Sequence, residues 1–85
     1  MPYVTNDRRL IDTKTVAEFL PPKPVAGDLN FFLTIVIQSY VEAKGLSYST
    51  INDVVGAMEG AKAEFQRRVV APYEDGAIAR NGDLY

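Results

Sequence analysis

Apolar positions recur along this chain at helical spacing, and little of it alternates as a strand would. Asn6 or Asp7 can cap a short first turn containing Leu10 and Ile11. Asp12 can cap a second helix through Thr15, Val16, Phe19 and Leu20, since a short side-chain oxygen there accepts an otherwise unpaired backbone N–H. Pro21-Pro22-Lys23-Pro24 ends that helix, because proline fixes φ and donates no hydrogen bond. The prolines predict an extended, stiff linker and not a domain boundary, as neither side is large enough to fold alone.

Gly27-Asp28 opens the next helix, over 28–44, with Gly45 as its stop. Leu29, Phe32, Leu33, Val36, Tyr40 and Ala43 make one face, while Phe31, Ile35, Ile37 and Val41 lie outside it. A helix apolar over most of its circumference must be covered on more than one side. One side is expected to be covered by this chain and the other by a second chain. The Phe31–Ile37 run is the one ambiguous strand signal, and its flanks assign it to helix.

Ser47 or Ser49 begins a third helix over 48–71. Tyr48, Ile51, Val55, Met58, Lys62, Phe65 and Val69 follow 3-4-3-4 spacing, the seam of a helix–helix contact, and Val54 and Ala61 widen it. Pro72 is predicted to stop or kink this helix. The tail over 73–80 is predicted to add one or two turns, halted at Asn81-Gly82. The expected architecture is all-α, a single helical domain over 1–85. It has a short N-terminal helix, a Pro-rich linker, an antiparallel hairpin of two longer helices and a kinked C-terminal tail, assembled as a homo-oligomer.

Composition narrows the chemistry. At 85 residues a single chain buries only about 60% of its unfolded surface. The 47% apolar content is too high for a disordered chain, and the surplus again points to self-association. With no cysteine there is no disulfide framework or thiolate metal site. With no histidine, the commonest general base and the Ser-His and Cys-His nucleophile pairs are excluded. Catalysis would have to rest on carboxylates, Lys62, a tyrosine or a hydroxyl, so no enzyme is expected. A net charge of −2 gives no global attraction for DNA, RNA or an anionic membrane. The longest apolar runs fall far short of the roughly 20 residues that span a bilayer. Met1-Pro2-Tyr3-Val4 has no basic region followed by an apolar core, so no secretion signal and a cytoplasmic location are expected.

Four features could carry binding. Gly56 and Gly60 form a G-x-x-x-G pair that shares a helix face, within about 60°, with Ala63 and Arg67, away from the seam. Two mid-helix glycines cost about 1 kcal/mol each relative to alanine, which close approach of a backbone or a ligand would offset. Arg67 beside that groove suits a phosphate or carboxylate, whereas Arg68 reads as the i,i+4 partner of Glu64 on a solvated face. Lys62 sits on the seam, either snorkelling or holding an anion at an interface. In the tail, Arg80, Tyr73 and Tyr85 could add charge, ring or hydroxyl. Glu74-Asp75 completes no metal-ligand spacing, and its reading is structural. No metal or cofactor is expected.

The stretches Lys44-Gly45-Leu46-Ser47-Tyr48, Ile51-Asn52-Asp53-Val54-Val55-Gly56, Glu64-Phe65-Gln66-Arg67-Arg68-Val69-Val70-Ala71-Pro72-Tyr73-Glu74-Asp75 and Asn81-Gly82-Asp83-Leu84-Tyr85 resemble a family of short bacteriophage and bacterial proteins of unknown function. Met1-Pro2-Tyr3 and Gly27-Asp28-Leu29-Asn30 are similar too, so the resemblance covers nearly the whole chain. One departure is Pro24-Val25-Ala26-Gly27-Asp28, where the family usually has Thr-Pro-Gly-Glu, a capping box. Val25 cannot cap through its side chain. The resemblance implies a phage-type accessory setting and no catalytic residues.

The first functional expectation is therefore a non-enzymatic oligomer that sequesters an anionic nucleotide signal as a counter-defence sponge. Its ligand-binding residues would be Arg67, Arg68, Lys62, Arg80, Tyr73, Tyr85, Gly56 and Gly60. The alternative is a protein-binding inhibitor or adaptor acting on a host or virion protein.

Overall fold

The computed structural model describes residues 4–85. Met1-Pro2-Tyr3, which the family resemblance includes, lies outside them. All regular structure among the described residues is helical, in the all-α class that the periodicity predicts. The chain divides into two units, Met1–Leu46 and Ser47–Tyr85.

In the first unit a 3₁₀ turn spans Asn6–Arg8, with Thr5 at its N-cap. Neither Asn6 nor Asp7 is its cap, and Leu10 and Ile11 lie beyond its end, exposed. Helix α1 covers Thr13–Ala17, with Asp12 as the cap expected of it: its Oδ1 accepts from the Thr15 N–H at 2.8 Å. The helix is shorter than its apolar spacing suggests. Glu18, Phe19 and Leu20 donate to Thr15, Val16 and Ala17, three residues back, so the chain tightens out of α geometry before Pro21. That proline disfavours helical backbone at Leu20 and supplies no N–H of its own.

The Thr15 N–H holds the Asp12 carboxyl below its ordinary value of 3.8. A carboxylate with a depressed folded pKa supports the fold above its unfolded value and loses that support as pH falls through the folded one. The Thr15 amide proton should therefore titrate with an inflection below 3.8 when followed by NMR. An inflection at or above that value would contradict the cap.

Helix α2 covers Ala26–Lys44 and starts two residues earlier than the sequence predicts. Val25 offers no side-chain acceptor, but Asp28 Oδ2 reaches back to accept from the Val25 N–H at 2.9 Å. This is half of a capping box, and it sets the first turn. Thr34 and Ser39 donate their hydroxyls to the carbonyls of Asn30 and Ile35, which keeps them satisfied on an otherwise apolar helix. Gly45 ends α2 at φ +86°, its N–H bonded to the Val41 carbonyl at 2.7 Å. The Phe31–Ile37 run is helical throughout.

The second unit is helical without a break from Tyr48 to Asn81. Helix α3 covers Tyr48–Phe65, capped by Ser47, whose Oγ accepts from the Thr50 N–H at 3.1 Å. A π-helical turn follows over Gln66–Val70, and helix α4 covers Ala71–Asn81, ending at Gly82 with φ +91°. Of the two outcomes predicted for Pro72, a stop or a kink, the stop does not occur. A proline's ring clashes with the carbonyl four residues back and leaves it without a partner. Here the clash is met by a wider turn, in which the Ala71 N–H bonds to the Gln66 carbonyl five residues back. The predicted kinked tail of one or two turns is therefore a continuation of the helix, and α4 makes no contact with α3.

Among the described residues no apolar side chain is buried. Phe31, Leu33, Ile35 and Val36 of α2 are exposed, and Phe32, Ile37 and Val41 are half-buried. In the second unit Ile51, Val55, Met58, Phe65 and Val69 are all exposed. Among the described residues the one buried side chain is Thr50, whose hydroxyl lies 3.2 Å from that of Ser47 at the start of α3.

Candidate functional site

The Ser47 cap starts α3 at the residue that puts Tyr48, Ile51, Val55, Met58, Phe65 and Val69 on one stripe. Met58 is 54% exposed and Phe65 58%. Side chains of this kind lose about 25 cal/mol of stabilisation for each Å² left in water. Lys62 interrupts the stripe at its middle, exposed like its neighbours, and Glu59, three residues earlier, is adjacent to it on the helix surface. The second unit thus presents an apolar seam with one cation in it and one anion at its edge.

The residues expected to hold an anion all belong to this unit, and in a single copy they do not converge. From Gly56 to Arg80 the helix rises about 36 Å at 1.5 Å per residue. Arg67 lies 3.5 Å from Glu64 in an exposed i,i+3 ion pair. Arg68, the i,i+4 partner that the sequence predicts for Glu64, is exposed on the π turn. Arg80 lies back along its own helix, its guanidinium 3.4 Å from where a side chain at Gly76 would begin. Tyr73 is exposed on α4, carried onward by the continuous helix and not folded over the glycines. Tyr85 lies past the helix end, where its backbone N–H donates to Asp83 Oδ1 at 3.0 Å. Gly60 is half-buried, and a Cβ at Gly56 would have nothing within 4 Å.

Two expectations follow. Gly56→Ala should raise the melting temperature, worth about 1 kcal/mol, since it removes backbone freedom in a helix with open space beside it. A fall in that temperature would show that another backbone covers the glycine. Arg67→Ala should leave the chain folded at a cost below about 0.5 kcal/mol, because exposed ion pairs contribute little. Denaturant melts of the two proteins check this.

Two apolar clefts lie in the first unit. One, of about 270 Å³, is lined by Phe19, Leu20, Pro21, Asp28, Phe31, Phe32 and Ile35. The other is lined by Ile11, Asp12, Thr13, Val16, Ala17 and Leu20. Each carries one carboxylate, already engaged at a helix N-terminus, and no cation. Neither suits an anion. Sequence reasoning did not single them out, since they depend on how the Pro21–Pro24 segment turns the chain between α1 and α2. Among the described residues no cluster of three or more acidic side chains is placed to hold a metal ion, and no helix is long and apolar enough to cross a membrane.

A family model described as Domain of unknown function (DUF6899) matches residues 1–84. The chain belongs to that family. A family of unknown function spanning nearly the whole chain is what the resemblance implied. No curated protein and no solved structure matches the chain.

Proposed function

We propose that this chain is a non-enzymatic subunit of a homo-oligomer and binds another protein through its helical faces. The observation that supports it is the absence of any buried apolar side chain among the described residues, although the helices are regular and well capped. A helix draws most of its stability from packing an apolar face and is marginal in water without it. A second chain of the same kind covers these faces.

A protein partner suits the surface better than a small anion. Lys62, Arg67, Arg68 and Arg80 are strung along one helix, while the exposed apolar stripe runs the length of α3 with Lys62 as its one interruption. Sequestering an anionic nucleotide would need cations from more than one subunit gathered at one point. In the phage-type setting implied by the resemblance, the partner is a host or virion protein in the host cytoplasm.

Light scattering at micromolar concentration tests the oligomer: the mass should be a multiple of 9.4 kDa, and a mass near 9.4 kDa would refute it. Native mass spectrometry after incubation with the small-molecule fraction of a lysate tests the ligand class. No retained small molecule is expected, and a retained anionic nucleotide would restore the sponge reading.

A further inference from the structure

We infer that the α3 seam is an interface between two copies of this chain, paired antiparallel about a two-fold axis near Gly60. This rests on the oligomeric reading above and commits the seam to a second copy and not to α2. The argument is one of charge and register.

Lys62 is the only charged residue on the stripe, flanked by Met58 and Phe65. In a parallel pair the same seam residue meets itself, so two Lys62 ammonium groups would face each other inside an apolar contact. An antiparallel pair separates them. Centred on residue 60, it sets Lys62 level with Met58 of the other copy and Val55 level with Phe65. Glu59 then lies at the seam edge one residue from the level of the opposite Lys62, on the same side of the contact, and the two-fold repeats the pair. One anion and one cation three residues apart thus become two intermolecular ion pairs.

Other antiparallel registers do not do this. A shift by one heptad in one direction brings Asn52 against Lys62, and in the other direction Gln66. Either shift also takes apolar seam residues at one end past the partner's stripe. The register about Gly60 alone pairs the charges and overlaps the seam from Ile51 to Val69. It leaves Gly56 and Arg67 on the far side of the helix, where the structure shows open space beside Gly56 and an exposed Arg67–Glu64 pair.

The full chain lacks cysteine, so a spin label at Ser49→Cys, an exposed position off the stripe, reports on it cleanly. The antiparallel pair predicts an axial separation of about 33 Å between the two labels at 1.5 Å per residue. A parallel pair predicts labels level along the axis, separated only by the width across the pair. A short distance, or a dimer with some other distance, overturns the inference and leaves the oligomeric reading standing; no intermolecular signal and a monomer mass overturn both. Glu59→Lys and Lys62→Glu should each weaken the dimer about tenfold or more, and the double exchange should restore it to within about threefold. Unchanged association in both single variants, or no rescue in the double, would equally overturn it.

Discussion

Replacing Phe65 by glutamate should dissociate the assembly into monomers of 9.4 kDa, and the helical circular dichroism signal should fall with it. Phe65 is the one phenylalanine on the exposed stripe, next along it after Lys62, and it is 58% exposed. Burying an unpaired carboxylate against the partner's Val55 costs several kcal/mol, and the lost aromatic burial adds about 1.5–3 kcal/mol. Coupled loss of helix is expected because, among the described residues of the second unit, no apolar side chain is buried that would hold α3 once the partner leaves. For the same reason the melting temperature of the unaltered protein should rise with protein concentration. Ala57→Glu is the control, since Ala57 lies off the stripe of α3. It should change neither mass nor helicity. If Phe65→Glu keeps the oligomer mass, the stripe is not the interface.

Four helix ends were legible in the sequence because each is set by a residue whose chemistry is local. Asp12 and Ser47 accept an N–H three residues on, and Gly45 and Gly82 take the positive φ that ends α2 and α4. The faces were legible too, since the 3-4 spacing of Ile51, Val55, Met58 and Phe65 needs only a regular helix. Two features were not. Pro72 reads as a breaker because an α-helix cannot absorb it; the π turn over Gln66–Val70 widens the backbone ahead of it, and no side chain advertises that choice. The start of α2 was hidden because Val25 cannot cap, and the compensating bond runs backwards from Asp28. The candidate anion site failed to assemble in one copy for a related reason. Its convergence depended on a tail kinked at Pro72, and the continuous helix carries Tyr73 and Arg80 away from Gly56.

Two alanine substitutions at glycines of α2 should move stability in opposite directions. Gly45 sits at φ +86° and ψ +147°, a region that side chains with a Cβ rarely adopt. Gly27 lies in the first turn of the same helix with ordinary helical geometry. A Cβ at either position would meet nothing within 4 Å, so packing does not distinguish them and only the backbone does. Gly45→Ala should cost about 1–3 kcal/mol, the penalty for holding such a residue in sparsely populated φ/ψ space. The strain can be relieved only by breaking the bond from the Gly45 N–H to the Val41 carbonyl, which would fray the last turn of α2. Gly27→Ala should stabilise by up to about 1 kcal/mol, because it removes unfolded-state freedom without strain. Denaturant melts of both variants at one fixed concentration separate these signs. Equal shifts would mean that Gly45 tolerates another conformation and that α2 does not need it as a stop.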